Sequence, residues 1–508
     1  MQKSQNENKL LKSIFSSFTY VLINSIISLY VLSIVVKDLG LELLGIWSIV
    51  NAMTSLGNVV NLGLGNSLPK FVAYYISKKD YEYTSKIIGT ALVSTIVFTV
   101  ILLIAINILF YFNTYTIYND LYSNVIHEVF FMTLINFGLS NINGVILLSF
   151  DGFSKIYIRN IIQISGSILY VILSVILIKE YKLKGLALSQ IFQQILIFFV
   201  AFYFLIKNNK YFIKNLFYFR VSCFKEMFEY SYKIQIINFI SIFSDPLMKI
   251  LFSKYGGLSL TGYYELSQKI IGTIRSFIVI VNQVIIPEVS KNHDNPESIY
   301  ALIRINNRVI NLVAIIIFSS PFLGLTFLSN YWFKMYNSIF AFTFICVTVG
   351  LFINSLAIPF YMYFMGTGNL KWNVLSNTVA AICTAVIGTI SGYFYGYQGL
   401  LISWIIACIS GSLLTFLPFI FETKEKVKSF IKIEDLILFL NCSIVSYTLF
   451  TLEEFYHLTF TLPILKVIIN GIIFVLLILP SVINHSGFKF IYSYFKNLRN
   501  TYNTKVVH

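Results

Sequence analysis

The sequence predicts an all-α integral membrane protein: fourteen transmembrane helices, laid out as two six-helix lobes in parallel repeat plus a C-terminal helix pair. Three observations carry this. Hydrophobic residues fill 57% of the 508 positions and charged residues only 12%, whereas soluble chains carry about 25% charged residues; the mean hydropathy is +0.77. Apolar runs long enough to cross about 30 Å of hydrocarbon recur along the whole chain. Finally, the first half returns in the second in the same direction. Leu41-Glu42-Leu43-Leu44-Gly45-Ile46-Trp47 reappears as Leu258-Ser259-Leu260-Thr261-Gly262-Tyr263-Tyr264, and Pro69 as Pro287. Gly152-Phe153-Ser154-Lys155 reappears as Gly368-Asn369-Leu370-Lys371, and Gly185-Leu186 as Gly399-Leu400. The offsets are 217, 218, 216 and 214 residues.

The apolar segments lie near 13–36, 43–65, 87–112, 124–149, 157–178, 186–206, 234–254, 263–286, 309–329, 338–364, 373–396, 399–421, 436–452 and 459–483. These lengths suit tilted helices; a closed barrel needs shorter, alternating segments. The first segment follows a lysine-bearing polar stretch and no small-x-small cleavage pattern follows it, so it reads as a retained span. With the N-terminus inside, inner segments hold 27 Lys and Arg residues and outer segments six. That bias places both termini in the cytoplasm. The exception is the outer loop with Lys179, Lys182 and Lys184. Six spans per repeat is an even number, so both copies enter the membrane from the same side, about an axis along its normal.

The predicted organisation is therefore an N-lobe at 1–206, a cytoplasmic linker at 207–233, a C-lobe at 234–421, and an appended pair with its tail at 422–508. The linker alternates basic and aromatic residues (Lys210, Tyr211, Phe212, Lys214, Phe217, Tyr218, Phe219, Arg220). It reads as an interfacial amphipathic segment, or as a contact for lipid headgroups or a cytoplasmic partner. No loop is long enough for a soluble domain. The formal charge of +15 follows from topology and does not imply nucleic acid.

Several chemistries lack their residues. There is no GxxxxGK[ST] phosphate loop and no HExxH. The five histidines are scattered, and the five cysteines lack metal or disulfide spacing. No cofactor and no metal is expected, and an enzyme is the weaker class.

Charges inside spans are costly and mark function. The seventh segment holds Asp245 and Lys249, and the eighth holds Glu265, Lys269 and Arg275. Each i,i+4 pair shares a helical face. Asp245-Pro246 is expected to break the seventh helix. Arg275 lies near mid-membrane with no charge within its own turn, so it should face a carboxylate such as Asp245 or a water-filled cavity. Three readings stay open: Asp245 and Arg275 pin two helices, Arg275, Lys269 and Lys249 form a cationic wall for an anionic substrate, or Asp245 and Glu265 couple a proton or cation. The first copy carries Asn58 where the second has Arg275, and Asn24, Asn51 and Asn58 keep its helices polar. Leu62 to Lys70 is expected to end the second span, with Pro69 turning the chain.

Gly45-Ile46-Trp47, then Leu62-Gly63-Leu64-Gly65-Asn66-Ser67 and Lys70, resembles the N-terminal pattern of lipid-linked polysaccharide flippases. These are the Wzx-like members of the multidrug/oligosaccharidyl-lipid/polysaccharide exporter superfamily. Gly366-Thr367-Gly368 with Lys371, and Gly399-Leu400, sit where that family carries similar glycines. The resemblance implies two lobes around a V-shaped cavity lined by segments 1, 2, 7 and 8. It implies alternating access in a bacterial cytoplasmic membrane, for O-antigen, capsule or exopolysaccharide synthesis. The substrate would be an undecaprenyl-diphosphate-linked oligosaccharide. Its diphosphate needs cations, its sugars need polar and aromatic walls, and its prenyl tail needs an apolar groove, which segments 13 and 14 would help to form. Membrane lipid and polysaccharide polymerase or assembly proteins are the further partners implied. The early Arg-Asp signature of peptidoglycan-precursor flippases is absent. The alternative is a cation-coupled multidrug antiporter. A repeat-unit polymerase would carry a larger outer loop, and a scaffold would not explain buried charge.

Overall fold

The computed structural model describes residues 2–55, 64–117, 123–208, 211–283, 285–291, 296–455 and 463–493. Among them every regular element is a helix. In order these are α1 (Gln2–Leu39), α2 (Leu41–Ser55), α3 (Leu64–Ser77), α4 (Tyr81–Ile117), α5 (Ser123–Gly152), α6 (Ile156–Asn208), α7 (Val221–Asn282) and α8 (Ile285–Lys291). There follow α9 (Pro296–Ser319), α10 (Leu325–Phe333), α11 (Ser338–Leu356), α12 (Ile358–Thr367), α13 (Lys371–Thr423), α14 (Ile433–Phe455) and α15 (Pro463–Asn484). The chain is a multi-pass membrane protein: nine described helices are long and apolar enough to cross a bilayer.

Two of those nine are twice as long as one crossing needs. The helices α6 and α13 each run 53 residues, about 80 Å at 1.5 Å per residue. Each is broken once, α6 at Lys182 (φ 51°, ψ −130°) and α13 at Gly396 (φ 57°, ψ −142°). The halves of α6 fold back on one another, so that a methyl group on Gly166 would lie 2.6 Å from Ile197. In α13 the facing residues are Gly411 and Ala380. The third long helix, α7, is broken at Gly257 (φ 83°). Counted as pairs, these helices and α2 accommodate the fourteen expected spans.

Two expectations about proline fail. The helix α7 runs on through Pro246 with helical backbone, because one lost donor kinks a packed helix without ending it. Pro69 lies inside α3, a separate short helix with an apolar face: Leu68, Phe71 and Val72 are buried there in one core with Ile87, Ile88, Val145 and Phe150.

The chain divides into two compact units, Met1–Gly262 and Tyr263–His508. In the first, α1 packs on α6, and α3 on α4 and α5. Asn160 of α6 donates to Ser16 Oγ (2.9 Å) and Ser17 Oγ (3.0 Å) of α1. In the second, α11 packs on α13, and α14 packs on α9 and α15, with Leu312, Ile315, Leu438, Cys442, Val445 and Phe474 in one core.

The repeat is written into this packing. A methyl group on Gly152 would lie 2.5 Å from Val72 Cβ and 3.0 Å from the Pro69 carbonyl oxygen. A methyl group on Gly366 would lie 2.7 Å from Val289 Cβ and 3.0 Å from the Ile286 carbonyl oxygen. Val72 and Val289 are 217 residues apart and Gly152 and Gly366 are 214 apart, so each unit seats a short helix against a glycine at the end of a span, and by this contact the counterpart of Gly152 is Gly366 rather than Gly368. Positive φ angles pair likewise: Gly40 (84°) with Gly257 (83°), Ser154 (55°) with Gly368 (76°), and Lys182 with Gly396.

Candidate functional site

Arg275 lies on the part of α7 that follows Gly257, within the second unit. It is half-buried. Its Nε donates to Asn354 Oδ1 at 2.9 Å, from the last turn of α11. Tyr361 of α12 and Cys408 of α13 lie within electrostatic reach of the guanidinium. Asn377 Nδ2 donates to the Tyr361 hydroxyl at 3.5 Å, and Asn373 Nδ2 to the Tyr361 carbonyl at 3.1 Å. Asn373 Oδ1 is buried with no hydrogen-bond partner among the described residues. The surroundings are thus amide, phenol and thiol, and among the described residues no carboxylate pairs with this cation.

The chemistry follows from that arrangement. An amide oxygen orients a guanidinium without cancelling its charge. With Nε occupied, the two NH2 groups are the fork that meets a phosphate or carboxylate in bidentate fashion. Such a charge in a low-dielectric setting costs several kcal/mol if it has neither water nor a counter-ion, which makes this position attractive to an anion.

The other expected site residues divide. Asp245 and Lys249, both in the first unit, form an ion pair of 2.9 Å, with the lysine side chain 9% exposed and the aspartate 51%. Asp245 therefore neutralises Lys249 one turn along its own helix. Glu265 is half-buried and Lys269 exposed, in the same unit as Arg275. Asn24 Oδ1 accepts from Ser167 Oγ at 3.2 Å, joining α1 to α6. Asn51 Nδ2 donates to the Trp47 carbonyl of its own helix at 2.8 Å. Asn58 lies outside the described residues.

Two apolar cavities run beside α14 in the second unit. One, of about 390 Å³, is lined by Ile315, Phe318, Tyr336, Phe352, Phe439, Tyr447 and Phe450 among others. The other, of about 360 Å³, takes in Ile315, Phe352, Phe360, Phe416, Asp435, Leu436 and Phe439. They share Ile315, Phe352 and Phe439, and between them they lie along α14 from Asp435 to Phe450. That is about 22 Å of helix, most of a hydrocarbon core. Asp435 is the charged residue of their lining.

Reading by spans missed Asn354, Tyr361 and Asn377, which are neutral residues on separate helices. It also missed His485. That side chain is buried, its Nε2 lies 3.0 Å from Asp435 Oδ1, and the Gly487 N–H donates to its Nδ1 at 3.0 Å. A ring nitrogen that accepts must be unprotonated, so Nε2 carries the proton and donates to Asp435. Beside it, Glu434 accepts from the Ser486 N–H at 2.9 Å. These bonds tie the foot of α14 to the end of α15.

Solved structures share this fold. The lipid II flippase MurJ in an inward closed conformation matches with a TM-score of 0.71 at 17% identity, covering 93% of this chain and 98% of that one. An inward-facing multidrug resistance MATE family transporter of the MOP superfamily matches at 0.66 and 14% identity, covering 79% and 94%. A MATE transporter of Vibrio cholerae matches at 0.61 and 13%, covering 84% and 100%. The molecule thus has the fold of the MOP superfamily transporters. The chain belongs to the polysaccharide biosynthesis protein family, whose model matches residues 10–293. No curated protein matches it by sequence.

Proposed function

We propose that this protein is a flippase. It moves undecaprenyl-diphosphate-linked oligosaccharide repeat units across the bacterial cytoplasmic membrane by alternating access, for surface polysaccharide synthesis. The observation that carries the reading is Arg275, held by the neutral Asn354 in a chain of a polysaccharide biosynthesis family. In this reading Arg275 and Lys269 bind the diphosphate, and Lys249 joins them when Asp245 releases it. Asp245 and Glu265 gate or couple, Asn24, Asn51 and Asn58 face the sugars, and the apolar cavities along α14 hold the prenyl tail. The working lobes are 1–206 and 234–421, joined by 207–233 and followed by 422–508, with both termini cytoplasmic.

The test is export in cells carrying Arg275→Ala. A properly inserted variant accumulates lipid-linked oligosaccharide on the inner leaflet and makes no surface polymer. Normal export by that variant overturns the reading. The second reading is cation-coupled drug antiport, favoured by the likeness to MATE transporters. Dye efflux that depends on Asp245 and is indifferent to Arg275 would establish it in place of the first.

A further inference from the structure

The described linker, from Tyr211 to Arg220, is held firmly and yet turns much of its apolar surface outward. Phe212 is fully buried in the core of the first unit. Asn215 is buried and donates to Ser85 Oγ of α4 at 2.7 Å. The Asn215 carbonyl sits so close to Gly89 that no side chain fits between them. Around these two pins, Tyr211, Ile213, Phe219 and Val221 are exposed, and Phe217 is 77% exposed. Lys207, Lys214, Arg220 and Lys225 are exposed among them.

An anchored strip of bare aromatics would be a liability in water. Its position removes that difficulty. The helix α6 remains an apolar span as far as Lys207, and the strip starts four residues later, so it leaves the protein at the level where a bilayer gives way to water. Rings that seek the interface, interleaved with cations, match a surface of acyl chains topped by anionic groups. A protein partner matches less well, because a stable interface takes about 800 Å² from each side and some 20–30 residues, more than this strip offers.

We infer that residues 211–221 form a fixed interfacial anchor that binds anionic phospholipid headgroups. The rings enter the headgroup boundary, and Lys214 and Arg220 pair with lipid phosphates beside them. This goes beyond the transport reading and holds whatever the cargo is.

The test uses the full chain in nanodiscs of phosphatidylcholine, alone or mixed with phosphatidylglycerol. Phe217→Trp should show blue-shifted emission over the wild-type background, quenched by lipids brominated near the headgroup. Native mass spectrometry should show preferential retention of phosphatidylglycerol, falling about fivefold for each cation removed in Lys214→Gln and Arg220→Gln. Neither residue is buried, so Phe212 and Asn215 still seat the linker, and an unchanged melting profile confirms it. Water-like, unquenched emission from Phe217→Trp overturns the proposal. So does equal retention of both lipids by wild type and the double glutamine variant.

Discussion

Gly45 meets the carbonyl oxygen of Leu258, and Gly262 meets that of Leu41. The four residues are two corresponding pairs, 217 apart, so the contact is its own mirror under the repeat. Each glycine thus packs against the backbone of the other copy's leucine.

The first prediction follows from that approach. A methyl group on Gly45 would overlap the Leu258 oxygen, and one on Gly262 would lie 2.7 Å from the Leu41 oxygen. Each alanine variant should therefore lose about 1–3 kcal/mol, as overpacked sites do. Gly144 of α5 has open space around it, so Gly144→Ala should be neutral or gain up to about 1 kcal/mol from helix propensity. Thermal unfolding in detergent compares the three. Equal stability of Gly45→Ala and Gly144→Ala would refute the close contact.

A second prediction concerns Lys182. Its φ of 51° with ψ of −130° is costly for any residue with a Cβ, and the second copy places Gly396 there. Lys182→Gly should stabilise the protein by about 1 kcal/mol, the lower end of such backbone strain. Lys182→Ser removes the same charge without relieving the backbone and should bring no gain. A gain shared by both variants would point to charge, since Lys179 and Lys184 flank this break. Lys184 already pairs with Glu128, which gives that otherwise anomalous loop part of its balance.

The ion pair of Asp245 and Lys249 supplies a third. Removing one partner of a buried pair costs about 3–5 kcal/mol, whereas replacing both is often neutral. Asp245 is half exposed, so solvent screening reduces the effect to roughly 1–2 kcal/mol. Asp245→Asn should destabilise, and adding Lys249→Met should restore most of the loss. Simple additivity in this double-mutant cycle would mean the pair contributes nothing.

How much of this could be read from the chain is clearest residue by residue. The repeat was legible, because glycines at close contacts tolerate few replacements and so stay recognisable after the surrounding helices diverge. The helix pairs were legible as apolar length. The pair of Asp245 and Lys249 was legible because i,i+4 spacing fixes its geometry. Asn354 was not, since it lies 79 residues from Arg275 and joins it only through packing. His485 was not, because its partner Asp435 is 50 residues away. Pro246 misled, because a proline's local penalty says nothing of the packing that overrides it.

The last prediction separates stability from transport at Arg275. Asn354→Asp changes an amide into a carboxylate where Nε already donates, without altering shape. The hydrogen bond already has a charged donor; with a carboxylate as acceptor it becomes an ion pair, and the uncompensated cation gains a counter-ion. The variant should therefore unfold at higher temperature than the wild type. It should also export poorly, because an incoming diphosphate must now compete with a resident carboxylate for the same guanidinium. Asn354→Leu should do the reverse to the fold, since it removes the acceptor and leaves the charge. If Arg275 only pinned helices together, Asn354→Asp would strengthen the pin and leave export untouched. More stable and inactive is the outcome that identifies Arg275 as a substrate ligand, and more stable and fully active is the outcome that makes it structural.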